Sequence, residues 1–179
     1  NIGYATLEEA LAKAQEFVDP NVTLLKDVEL AESLTIEAGK EIILDLNGKV
    51  VSMEDASAKG AYAIKNNGNL TIKDTDTAGN GKITFKSTTP DNNHGYATST
   101  IGNGGHLTIE NGIIENTTIG GASYAIDGIW HTGEASLTIN DGTITANKIA
   151  VRQVPFSATA KNTVTINGGT LTGATAGLQ

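Results

Sequence analysis

Aliphatic residues in this chain fall in short alternating runs, not in long amphipathic stretches. The clearest run is aliphatic–threonine–aliphatic: Leu70-Thr71-Ile72, Leu107-Thr108-Ile109, Leu137-Thr138-Ile139 and Val164-Thr165-Ile166. Val22-Thr23-Leu24 and Leu44-Asp45-Leu46 are looser copies. In a strand, successive side chains take opposite faces, so the two aliphatics share one face and threonine the other. Copies begin 22 to 37 residues apart, which describes a fixed unit carrying insertions of varying length.

Each unit holds more than the tripeptide. A turn and a second short strand follow it: Asn47-Gly48 then Val50-Val51, Asn111-Gly112 then Ile113-Ile114, Asp141-Gly142 then Thr143-Ile144, Gly168-Gly169 then Thr170-Leu171. A strand with a small residue ahead of an aliphatic one precedes it: Thr35-Ile36, Ala63-Ile64, Thr100-Ile101, Ala125-Ile126 and Ala150-Val151. Three strands in unvarying order predict an all-β, right-handed, three-sided parallel β-helix of about six coils. One coil cannot bury its aliphatic face alone, so the coils must stack. The rival fold, a β-sandwich, would not need the same ordered trio in every unit.

The two ends differ. Thr6-Leu7-Glu8-Glu9 has the form of a capping box, and Leu7, Ala10, Leu11, Ala14 and Phe17 or Val18 then share a helical face. The pattern predicts a capping helix over 6–18, stopping before Asp19-Pro20, with coils over 22–179 in one domain. Thr175 to Gln179 resembles the opening strand of another coil. The expectation is a piece of a longer polypeptide, with self-association through an open last coil as an alternative.

Composition then narrows the function classes. A formal net charge of -8 and a pI near 4.8 argue against a nucleic-acid partner, which needs a clustered basic surface. Cysteine is absent, which removes disulfides, zinc-thiolate sites and thiol nucleophiles. No apolar run approaches the roughly 20 residues that span a bilayer, so membrane insertion is not expected.

A family resemblance enters here. Residues 6–52, from Thr-Leu-Glu-Glu-Ala-Leu through Thr-Leu-Leu-Lys-Asp-Val to Leu-Asp-Leu-Asn-Gly-Lys-Val-Val, resemble the opening of pectin-lyase-like β-helix modules. Such modules occur in surface proteins of anaerobic, often gut-dwelling, bacteria. The later units match the same pattern, so the resemblance covers nearly the whole chain. It implies a secreted or wall-attached location at the bacterial cell surface. It is poor for function, because that superfamily includes polysaccharide lyases, glycoside hydrolases, phage tailspikes, adhesins and modules without known activity.

Catalytic signatures are missing. Polysaccharide-cleaving β-helices place acids and bases at outward positions of neighbouring coils. Here the outward row reads Thr71, Thr108, Thr138 and Thr165, interrupted by Asp45. Asn-Thr-Asp, Asp-Asp, Gly-His-Gly and Arg-Ile-Lys do not occur, and Arg152 is the one arginine. No cofactor is expected. Asp74, Asp76 and Asn80 form a weak calcium-loop candidate, lacking the further ligands of a complete loop. His94, His106 and His131 are assigned to separate corners.

Loop length is more informative. Ile64 to Leu70 and Ile101 to Leu107 each span six residues, but Ile126 to Leu137 spans eleven and Val151 to Val164 thirteen. Stacking would set these two enlarged loops side by side. They carry Asp127, Trp130, His131 and Glu134 in one, and Arg152, Gln153, Phe156 and Lys161 in the other. An aromatic flanked by polar groups suits a sugar face or a peptide segment. The expectation is a non-catalytic, adhesin-like surface module that binds a glycan or a host or bacterial surface protein, or acts as a spacer. A polysaccharide-degrading enzyme or a tailspike-like fragment is the alternative.

Overall fold

The computed structural model describes residues 2–16, 20–56, 61–89, 97–128, 134–153 and 161–179. Helix α1 spans Leu7–Glu16, and the Glu9 amide donates to Thr6 Oγ1 at 3.2 Å as the capping box requires. Strands then follow in triplets. The first is β1 (Asn21–Thr23), β2 (Val28–Leu30) and β3 (Leu34–Ile36); the second is β4 (Glu41–Asp45), β5 (Val50–Asp55) and β6 (Tyr62–Asn66). Next come β7 (Asn69–Lys73), β8 (Lys82–Ser87) and β9 (Ala97–Asn103), then β10 (His106–Ile109), β11 (Ile113–Asn116) and β12 (Ala122–Gly128). The last two are β13 (Glu134–Ile139), β14 (Thr143–Ala146) and β15 (Ile149–Arg152), and β16 (Lys161–Ile166), β17 (Thr170–Gly173) and β18 (Ala176–Leu178).

Each triplet gives one strand to each of three six-stranded parallel sheets. Sheet A runs β1-β4-β7-β10-β13-β16, sheet B β2-β5-β8-β11-β14-β17 and sheet C β3-β6-β9-β12-β15-β18. The chain is therefore an all-β parallel solenoid with one short N-terminal helix. The sandwich is excluded.

Aliphatic ladders line the interior because alternation and register act together. Leu70, Leu107 and Leu137 stack in sheet A, Val51, Ile83, Ile114 and Ile144 in sheet B, and Ile64, Ile101, Ile126 and Val151 in sheet C. All are buried, and each such side chain contributes about 1.5–3 kcal/mol relative to exposure. Leu7, Leu11 and Ala14 of α1 close one end of this core. Gln15 ties the helix down, accepting from the Glu37 amide at 2.9 Å.

Corners are held by close approach and by buried side-chain amides. Between sheets C and A, a Cβ on Gly105 would lie 2.2 Å from the Gly68 carbonyl oxygen. At the same corner Asn66 and Asn103, fully buried, share a 2.8 Å bond, and Asn103 Nδ2 reaches the Ser136 carbonyl at 3.0 Å. Between sheets A and B, Gly142 takes φ of 111°, a backbone state that side chains rarely allow.

Two early registers differ from expectation. Ile42-Ile43-Leu44, not Leu44-Asp45-Leu46, lies beside Leu70-Thr71-Ile72. Asp45 therefore does not interrupt the outward threonine row; Ile43 does. Asp45 pairs with Lys73, is buried, and accepts from the Asn47 and Thr75 amides. Likewise Leu34, not Ile36, pairs with Ile64. A slip of two residues leaves every side chain on its original face, so alternation cannot detect it.

Candidate functional site

The enlarged loops spring from adjacent strands. In sheet C the register sets Asp127 beside Arg152; in sheet A it sets Glu134 beside Lys161. These four residues are the feet of the loops that join β12 to β13 and β15 to β16. Trp130, His131 and Phe156 lie between the feet, outside the described residues.

At the sheet C feet, Arg152 grips Asp127 with two bonds, Nε to Oδ1 at 2.7 Å and Nη2 to Oδ2 at 2.8 Å. Its third donor, Nη1, reaches the Tyr124 hydroxyl at 3.1 Å, and the guanidinium lies 4.1 Å from the centre of the Tyr124 ring. A planar fork meeting a carboxylate while stacked on an aromatic face is an arrangement that lysine could not reproduce. Asp127 is 2% exposed. Burial holds its carboxyl above the ordinary range, against the opposing pull of Arg152. For Arg152 burial pulls the pKa down, but the hydrogen bond and charge of Asp127, joined by Tyr124 and Tyr62, hold it above its usual value. Burial also raises Tyr62 and Tyr124.

At the sheet A feet, Lys161 and Glu134 approach to 3.4 Å, but both are largely exposed. Such a pair adds little stability.

Sequence reading missed the floor of this corner. Tyr62, Ser99 and Tyr124 stand in register on successive strands of sheet C, and Tyr124 belongs to a small cluster separate from the main core, with Ala122 and Ile149. The available signal was the repeated Tyr62-Ala63-Ile64 and Tyr124-Ala125-Ile126. Ser99 Oγ and both amide atoms of Gln153 are buried without a hydrogen-bond partner among the described residues. Gln153 lies over Gly128, where an added Cβ would sit 2.6 Å from its Oε1. Unsatisfied polar atoms beside a locked ion pair are groups that a water or a polar ligand would satisfy.

The other sequence candidates are placed elsewhere. Asp74 is buried in the turn after β7, and its carboxylate accepts from the Gly48, Asp76 and Gly81 amides at 2.7, 3.2 and 2.7 Å. It locks stacked turns, so its oxygens are committed to backbone donors. Asp76 is half-buried and Asn80 exposed, and no group of three or more metal-ligating acidic, histidine or cysteine side chains occurs among the described residues. A shallow groove of about 560 Å³ runs past Asp76, Asn111 and Asp141. It lies on the A–B corner, away from the enlarged loops, and Asn111 and Asp141 already bond to backbone there. His106 is not a corner residue. It sits on β10, its Nδ1 2.9 Å from Ser136 Oγ. His94 lies outside the described residues.

Comparison with protein-family models, with curated proteins and with solved structures finds no match.

Proposed function

We propose that this chain is a non-catalytic extracellular module of a bacterial surface protein, adhesin-like, with a ligand-binding corner built on a rigid solenoid. The observation that carries this reading is the paired register of the loop feet, Asp127 with Arg152 and Glu134 with Lys161. Two long loops whose feet stand on neighbouring strands of a stiff scaffold would offer one composite surface, a common way for proteins to carry recognition. Trp130, His131 and Phe156 would supply its aromatic and polar contacts, toward a glycan or a surface protein. The pectin-lyase-like resemblance supports the extracellular, gut-anaerobe setting.

The same corner speaks against a lyase reading. A catalytic base must be free to take a proton, whereas Arg152 spends its fork on Asp127. Binding to arrays of mucin, host and plant glycans and to bacterial surface proteins tests the proposal. Trp130→Ala and Phe156→Ala should each lower affinity about tenfold or more, as for interface anchors, with an unchanged circular dichroism spectrum. Full binding in both variants would refute the loop assignment. Release of reducing ends or unsaturated products from any polysaccharide would favour the enzyme reading.

A further inference from the structure

The corner between sheets B and C is lined with buried hydroxyls in the third and fourth triplets. Ser87 ends β8 and Thr118 follows β11, and the Ser87 amide donates to Thr118 Oγ1 at 2.8 Å. On the sheet C side, Thr98 of β9 and Ser123 of β12 stand in register on neighbouring strands. Asn116 joins the two sides. Its Nδ2 donates to the Thr98 and Tyr124 carbonyls at 2.9 and 2.8 Å, and its Oδ1 accepts from the Thr118 amide at 2.9 Å. All five residues are at most 4% exposed. The Asn116 amide is thereby satisfied, but Ser87 Oγ, Thr98 Oγ1 and Ser123 Oγ have no hydrogen-bond partner among the described residues.

We propose that this corner is a binding site for ordered water, held by the hydroxyls of Ser87, Thr98 and Ser123. A hydroxyl turns about its C–O bond to meet any acceptor within reach, and a buried one left unmet costs stability. Several unmet at one corner call for a further polar group. Spacing selects its size. Neighbouring strands lie about 4.7–4.9 Å apart, beyond one hydrogen bond of about 2.8 Å but within two made through a shared water. Charge selects its kind. The five side chains are neutral, so a cation would be buried without a counter-charge, which is costly, whereas water both donates and accepts and needs two to four polar partners. Between sheets C and A the longer Asn66 and Asn103 side chains close the same gap directly, at 2.8 Å. Serine and threonine are too short to do so, and water supplies the missing length. The site is independent of the ligand proposed at the loop feet, which lie toward the other end of β12.

A high-resolution crystal structure of the parent, with oxygen-17 magnetic relaxation dispersion to count its long-lived internal waters, tests the site without any substitution. The expected result is at least one water bonded to both Thr98 Oγ1 and Ser123 Oγ. Thr98→Val and Ser123→Ala then give the sign of the effect. Each keeps the packing nearly unchanged but strips the water of a partner, so each should remove a long-lived water. Each should also lower the thermal midpoint by about 2–4 °C, as for the loss of one net hydrogen bond in a chain of this size. In a dry corner the same substitutions would delete an unsatisfied hydroxyl and raise the midpoint. A parent without water at the corner, or one whose midpoint depends on the choice of sodium or potassium at fixed ionic strength and whose corner holds that ion, would overturn the proposal. So would variants that melt higher and keep every long-lived water.

Discussion

Asp127 shows how one residue in this fold joins stability to the candidate site. Its carboxylate is 2% exposed and is met by a bidentate guanidinium, yet burial dominates and raises its pKa. A carboxyl whose folded pKa exceeds its unfolded value binds its proton more tightly when folded. Its contribution to stability is fully present below the unfolded value, near 4, and is lost as pH rises through the folded value. Asp127→Asn removes this dependence. Urea unfolding across acid to neutral pH should therefore show the parent losing stability relative to Asp127→Asn as pH rises from about 4. A parent that gains relative stability over that range would mean that Arg152, not burial, sets the carboxyl.

Among the elements, the corners decide what the strands can do. Gly105 has no room for a side chain, since its would-be Cβ lies 2.2 Å from the Gly68 carbonyl oxygen and 2.8 Å from the Asn67 carbonyl carbon. Gly105→Ala should destabilise the protein by about 2–3 kcal/mol through forced backbone shifts, read as a lower thermal midpoint. An unchanged midpoint would show that the corner is loose. Strand order and inward faces were legible in the sequence, because Leu70-Thr71-Ile72 and its later copies repeat one alternation with one turn. The register of the first two triplets was not, because Ile42-Ile43-Leu44 and Leu44-Asp45-Leu46 bury the same face. The ion pair at the candidate site was half legible. Loop lengths placed Asp127 and Arg152 near each other, but nothing linear showed that they bond or that Tyr124 stacks beneath. The Asn66–Asn103 contact joins residues on neighbouring strands and was equally invisible, as was the sealing of Asp74 by three backbone amides.

For the whole molecule, stacking turns sequence-distant insertions into neighbours. Each triplet touches mainly the one before and the one after, so the solenoid is nearly one-dimensional and a loop can lengthen without disturbing the ladders. The candidate corner exists because two such insertions occur in consecutive triplets at the same edge. Glu134 and Lys161 mark that adjacency from the exposed side, and the chain has no native cysteine to confuse a cross-link. The most direct test is oxidation of the double variant Glu134→Cys/Lys161→Cys. In-register parallel neighbours fall within the Cα span of about 4.4–6.8 Å that a disulfide needs. Rapid, near-complete closure of an intramolecular disulfide is expected in the folded protein. Failure to close while folded, with cross-links forming only after denaturation, would contradict the stacking on which the binding corner depends.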